Sequence, residues 1–278
     1  MHAWAIRGAS LPLDRTLLMG VVNATPDSFS DGGAYEPTEH GLRLAAEGAD
    51  LLDVGGESTR PGAADVAPDE EARRVVPVVR ALASRGLVVS VDTRRASVAR
   101  EALAAGARVV NDVSAGRDPE MLPLVAREGA GLVLMHMLGE PRSMQRDPQY
   151  KDVVREVCDF LVERARVAEA GGVAREAIAL DPGIGFGKTS EHNLALLRDG
   201  VPALARAGHP VLVGASRKSF LGALTAFGGP APPATDRLEA TLAAHVMAVT
   251  GGANVIRAHD VAAHRRALAV ADAIRGSG

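Results

Sequence analysis

The chain has 278 residues, enough to bury a large core without a disulfide or metal staple. Its hydrophobic share of 47% and charged share of 23% exclude global disorder and collagen-like or coiled-coil fibres. The formal net charge is −3, from 31 basic and 34 acidic residues. No block of like charge stands out, so there is no overall footprint for nucleic acid or an anionic membrane.

The single cysteine, Cys158, excludes an intramolecular disulfide and a Cys-rich metal site. No apolar run is long enough to span a membrane, and Met1–Arg15 lacks the apolar core of a signal peptide. A cytoplasmic location is the expectation. Aromatics are only 3%, so the core must be mostly Ala, Val and Leu.

Short apolar runs recur along the chain, at 17–22, 50–54, 87–91, 108–110, 131–135, 177–180, 210–213 and 253–256. Continuously apolar runs of this length predict strands buried on both faces. Helical patterns lie between them. Pro68-Asp69-Glu70-Glu71 opens one with proline in the first turn and acids at the positive end of the dipole. Pro77 is expected to kink that helix. Ala96–Ala105 is closed by Gly106, and Asp236–Thr250 and Val261–Ile274 are clear late helices. Strand–helix alternation implies a parallel sheet with right-handed crossovers. An uninterrupted series of eight such units predicts one (β/α)8 TIM barrel over residues 1–278, with 1–16 capping its bottom.

A barrel carries its active site at the C-terminal ends of the strands. There the sequence places Asn23, Gly55-Gly56-Glu57-Ser58-Thr59-Arg60, Asp92, Asn111, His136, Asp181, Ser216-Arg217-Lys218, Arg257 and His259. One Asp or Asn after a strand is commonly a turn former or helix cap. Polar groups at every end exceed what capping explains, so the rim reads as a ligand site. Asp92, Asn111 and Asp181, with Lys218 nearby, suit a flat heterocycle with donor and acceptor edges. Asn23, Arg60, Arg257 and His259, on the opposite side, suit a diphosphate helped by Mg²⁺. Together they imply group transfer with a diphosphate leaving group.

Several motifs point elsewhere only superficially. Residues 182–189 end like a phosphate-cradling loop, but Pro182 holds the place of its first glycine, so a tight strand-to-helix turn is expected. Gly214-Ala215-Ser216-Arg217-Lys218 is not a nucleophile elbow, because lysine replaces the second glycine. The histidines form no HExxH pattern; His136 and His245 read as packed or capping residues, and Glu70 and Glu71 as helix-start acids.

Asn23–Gly33 and Asp53–Gly62 resemble the first two signatures of the dihydropteroate synthase family of pterin-binding enzymes. Ser90–Thr93, Asn111–Ser114, Met135–Met137, Asp181–Lys188 and Ser216–Ser219 match in order. The resemblance covers about residues 17–270. Arg257-Ala258-His259-Asp260 departs only in having Ala where the family usually has Val.

The resemblance implies condensation of 6-hydroxymethyl-7,8-dihydropterin diphosphate with p-aminobenzoate, with Mg²⁺, in a cytoplasmic homodimer that is a sulfonamide target. It implies that Asp92, Asn111, Met135, Asp181, Phe186, Gly214 and Lys218 hold the pterin. Asn23, Arg60, Arg257 and His259 would hold the diphosphate, and Asn23 and Asp31 the metal. Phe29, Thr59, Arg60, Pro61, Phe186, Lys218 and Ser219 would surround p-aminobenzoate. Asp92, Lys218, Arg257 and His259 are the expected catalytic residues, and segments 24–35 and 57–67 are expected to close over the second substrate. Two rivals share the pterin end: a methyltransferase barrel, which would need a corrinoid, and a non-catalytic pterin-binding protein.

Overall fold

The computed structural model describes residues 3–24, 35–57, 65–140 and 142–276. In chain order the elements are β1 Ala3–Ile6, β2 Ala9–Pro12, β3 Leu17–Asn23, α1 Tyr35–Ala46, β4 Leu51–Gly55, α2 Pro68–Ala83, β5 Val89–Asp92 and α3 Ala96–Ala104. They continue with β6 Val109–Asp112, α4 Met121–Glu128, β7 Gly131–Met135, α5 Val153–Ala170, β8 Ile178–Asp181 and α6 Ser190–Ala195. The last are α7 Val201–Arg206, β9 Leu212–Val213, α8 Ser219–Leu224, α9 Leu238–Thr250, β10 Val255–Ala258 and α10 Val261–Arg275.

β3 to β10 form one parallel sheet in the order β8-β7-β6-β5-β4-β3-β10-β9. A parallel bridge between Leu180 and Val211, with the Leu180 N–H donating to the Pro210 carbonyl at 2.9 Å, joins its two edges. The result is a closed barrel, which abolishes exposed sheet edges.

Side-chain alternation explains both the core and the site. Leu18, Leu52, Val91, Val110, Leu134, Leu180, Val213 and Ile256 face outward and pack beneath the helices. Leu17, Met19, Leu51, Val109, Val133, Ala179, Leu212 and Val255 face inward and form a separate apolar cluster. Trp4 and Ile6 of the β1–β2 hairpin complete that cluster from below. Trp4 is fully buried, and its indole N–H donates to the Ala177 carbonyl at 2.9 Å. Continuing the same inward parity up each strand brings Asn23, Asp53, Ser90, Asp92, Asn111, Met135, Asp181, Gly214 and Arg257 to the opposite mouth.

The boundaries differ from expectation in a consistent way. Asp92, Asn111, Asp181 and Arg257 lie within their strands rather than after them. α9 begins at Leu238, after a 3-10 turn at Ala234–Asp236, and not at Asp236. α2 runs unbroken through Pro77. The carbonyl that loses its partner there, that of Arg73, lies on the same exposed face, where water can satisfy it. Among the described residues no helix is long and apolar enough to cross a membrane.

Candidate active site

The inward polar layer is built around Asp53, a charged residue in the middle of the apolar strand β4. Asp53 is fully buried. One of its carboxylate oxygens accepts from Asn111 Nδ2 at 2.9 Å and from Arg257 Nε at 2.7 Å. Arg257 Nη2 donates to Asp92 at 2.9 Å. The other Asp53 oxygen and the Ser90 hydroxyl are buried with no partner among the described residues. Orphaned buried polar atoms cost about 1–3 kcal/mol each, so this layer is assembled at the expense of stability, as ligand sites commonly are.

The electrostatics follow from that crowding. Burial, then the neighbouring Asp53 charge, pushes the Asp92 carboxyl up to about 7, with Arg257 opposing. Burial pushes Asp181 up to about 6, against a 2.7 Å hydrogen bond from the Gly183 N–H and the charge of Lys218. Burial works against the Arg257 charge, but Asp53 and Asp92 outweigh it and hold its pKa up.

These contacts correct one expectation. Arg257 does not stand apart from the carboxylate side: its guanidinium reaches Asp53 and Asp92 directly. Inward side chains of an eight-stranded barrel are close enough to interdigitate across the mouth. Two of the five guanidinium N–H groups are thus committed to carboxylates, and among the described residues the other three have no side-chain acceptor and could meet an anion.

An apolar wall flanks the polar layer. Val113, Met135, Met137 and Met144 form a buried cluster, with Phe186 packed on it. Lys218 Nζ lies 4.0 Å from the centre of the Phe186 ring, a favourable cation–π distance. Thioethers and an aromatic edge suit the face of a flat ring.

Residues 181–189 form the tight turn expected of them. Gly183, Gly185 and Gly187 all have positive φ. A Cβ on Gly183 would lie 1.9 Å from the His136 carbonyl oxygen, and one on Gly187 would lie 2.7 Å from Leu138 Cβ. Buried Lys188 staples the same two segments, its Nζ donating to His136 Nδ1 at 3.0 Å and to the Phe186 carbonyl at 3.0 Å. Thr189 then caps α6. Gly183→Ala is expected to cost roughly 2–5 kcal/mol, from left-handed strain plus overpacking, and to displace Asp181. A melting temperature close to that of the unsubstituted protein would contradict that account.

The opposite rim is held by side chains of the segments that follow β9 and β10. Ser216 Oγ and His259 Nδ1 are 2.9 Å apart, and the His259 backbone N–H donates to the same hydroxyl at 3.2 Å. Arg217, itself at φ 61°, forks onto Asp260 at 3.1 and 2.6 Å. Asn23 presents its exposed carboxamide at the end of β3. Ser219 opens α8, which has only 6 residues.

Other polar residues near the strand ends are structural, as expected for His136, Glu70 and Glu71. Asp112 faces outward and accepts from Ser114 N, Ser114 Oγ and Gly116 N. Glu71 is buried and paired with Arg95, which also binds Glu57, while Glu70 pairs with Arg74 and Arg73. Glu57 in turn accepts from Val66 N at 3.0 Å. His136 packs edge-on against Phe160, and burial pushes its imidazole down to about 3. Phe29, Asp31, Thr59, Arg60 and Pro61 lie outside the described residues, as does most of the two segments expected to close. Among the described residues no three His, Cys, Asp or Glu side chains gather as a metal cage. A cavity of about 390 Å³ lined by Asp69, Ala72, Arg73, Val76, Pro77 and Glu101 lies on the outer α2–α3 surface, with none of the rim residues among its lining.

Comparison with known proteins agrees with this fold. A family described as pterin binding enzyme matches residues 19–259. The dihydropteroate synthase of Mycobacterium leprae is 49% identical over 264 residues, covering 92% of each chain. That of Neisseria meningitidis serogroup C is 44% identical over 280 residues, covering 98% of each. The Xanthomonas albilineans dihydropteroate synthase structure with 4-aminobenzoic acid superposes with a TM-score of 0.92 at 46% identity, covering 100% of this chain and 99% of its own. The complex of that enzyme with 7,8-dihydropteroate gives 0.88 at 44% identity, covering 99% and 100%. This chain belongs to the pterin-binding enzyme family and, within it, to the dihydropteroate synthases, transferases of folate biosynthesis.

Proposed function

We propose that the barrel mouth joins 6-hydroxymethyl-7,8-dihydropterin diphosphate to p-aminobenzoate through a pterin methylene cation. The observation that carries this reading is the layer of buried Asn111 and Asp181 with half-buried Asp92 and Arg257, beside an apolar wall. Asp181 and Asn111 meet the donor and acceptor edge of the pterin, and Met135, Phe186 and Gly214 line its faces. Lys218, already seated over Phe186, stands between the two substrates.

The bond from the methylene carbon to the diphosphate oxygen breaks, and the oxygen keeps the electron pair. Arg257, His259 and Asn23 receive the growing negative charge. Asp92 and Asp181, in their carboxylate forms, attract the positive charge as it spreads through the ring, and burial makes each carboxylate otherwise poorly solvated. That interaction strengthens toward the transition state, which is where it accelerates the step. The amine nitrogen then forms the new bond and loses its proton to solvent water. A neutral aromatic amine needs no strong general base.

Magnesium fits this rim modestly. Mg²⁺ takes one or two protein oxygens and completes its shell with water and phosphate. Asn23 supplies an exposed oxygen of that kind, and Asp31 is the second residue implied by resemblance. When bound, the ion would neutralise charge on the leaving diphosphate. Phe186, Lys218 and Ser219, with Phe29, Thr59, Arg60 and Pro61, would receive p-aminobenzoate, and sulfonamides would compete there. Because α8 is so short, Lys218 and the Ser219 hydroxyl, rather than a helix dipole, would meet the carboxylate. The same reading has the protein act as a cytoplasmic homodimer. Exposed Met247 on α9 and Val270 and Ile274 on α10 offer apolar surface for a second copy.

Deuterium at the pterin methylene tests the cation. A normal secondary isotope effect on turnover is expected as that carbon flattens. An inverse effect, or none with chemistry rate-limiting, would favour direct displacement.

A further inference from the structure

Two fully buried histidines take no part in this chemistry: His245 on α9 and His264 on α10. Their hydrogen bonds run in one direction. The Ala215 backbone N–H donates to His245 Nε2 at 2.9 Å. That nitrogen must therefore carry no proton, which places the proton of a neutral ring on Nδ1. His245 Nδ1 lies 2.8 Å from His264 Nε2 and donates to it. His264 Nδ1 in turn donates to the Asp260 carbonyl at 2.7 Å. The two ends, a backbone donor and a backbone acceptor, fix both tautomers.

The relay works only with both rings neutral, since a second proton on either would oppose N–H to N–H. Burial lowers the pKa of both, and His264 and His259 add to that at His245. Asp260 faces His264 with the opposite effect, and its carboxylate is engaged by Arg217.

The position of the two ends gives the relay its meaning. Ala215 immediately precedes Ser216, and Asp260 immediately follows His259. Between them stand the Ser216–His259 pair and the Arg217–Asp260 fork. We propose that His245 and His264 are positioning residues, which hold the ends of β9 and β10 at a fixed separation and so set Ser216 and His259 for the diphosphate. The proposal rests on the assignment of His259 to the leaving group.

Two measurements decide it. In ¹⁵N-histidine spectra of the whole protein, both imidazoles should show the neutral Nδ1–H tautomer, unchanged from about pH 8 to about pH 5.5. Titration of either ring in that range, or the other tautomer, would overturn the relay. Binding of inorganic diphosphate with Mg²⁺ reads the function. His245→Leu and His264→Leu should weaken it about fivefold or more and raise KM for the pterin diphosphate, with free pterin affinity little changed. His245→Gln, whose amide can accept from Ala215 and donate to His264, should recover most of the loss. Folded leucine variants that bind diphosphate as tightly as the unsubstituted protein would overturn the positioning role. If the unsubstituted protein binds no diphosphate, the assignment of the rim fails and the positioning role with it, while the spectra still show whether the relay exists.

Discussion

Asp92→Asn is expected to lower turnover by roughly a hundredfold or more while raising the melting temperature at neutral pH. Both effects have one origin. The carboxylate is largely buried, close to Asp53, and matched by one guanidinium shared between the two. Its pKa in the folded protein is about 7, well above the value of about 3.9 for an unfolded aspartate. The folded state therefore binds more protons between about pH 4 and about pH 7, and stability falls as pH rises through that window. The asparagine variant carries no such penalty, and its amide oxygen can still accept from Arg257. Its advantage in melting temperature should be near zero at pH 4 and full above about pH 7, worth on the order of a few kcal/mol. Turnover should fall because an amide cannot offer a full negative charge to the developing cation. Turnover within a few-fold of the unsubstituted enzyme would show that the Asp92 charge does not stabilise it.

Arg257→Ala should have the second large effect, with the opposite sign in stability. Removing one member of a buried charge cluster leaves its partners uncompensated, at a cost of about 3 kcal/mol. Asp53 would keep only Asn111 as a donor to its paired oxygen, and Asp92 would lose the charge that holds its pKa down. Asp92 can respond by taking a proton, so the cost should be smaller near pH 5.5 than at pH 8. Unfolding curves at the two values check this. Inorganic diphosphate binding should weaken more than free pterin binding, because among the described residues three of the guanidinium N–H groups meet no carboxylate. The reverse ranking would place the anion elsewhere on the rim.

Much of this architecture is legible from strand parity. Once Leu51, Val109, Ala179 and Val255 are known to face inward, the residues two further along must do so too. That assigns Asp53, Asn111, Asp181 and Arg257 to the mouth. The sequence reading placed three of these but passed over Asp53, although a lone charge inside Leu51–Gly55 is the signal. The cause is that the expected strand 50–54 ran through Asp53 while rim residues were sought only beyond the strand ends, where Asp92 and Asp181 were also expected. Val113 and Met137 of the apolar wall escaped for a different reason, since loop apolar residues carry no periodicity. The reach of Arg257 to Asp92 was not readable at all, because side-chain length across a barrel leaves no trace in spacing. The His245–His264 contact depends on how α9 packs against α10, which is likewise set only by the tertiary fold.

Diphosphate release tests the central claim most directly. The purified protein is mixed with Mg²⁺, the dihydropterin diphosphate and p-aminobenzoate, and each is omitted in turn. Release that depends on p-aminobenzoate, with dihydropteroate formed in equal amount, is the predicted result. Tight pterin binding without diphosphate release would contradict it, and would leave a barrel that holds the heterocycle but does not transfer it.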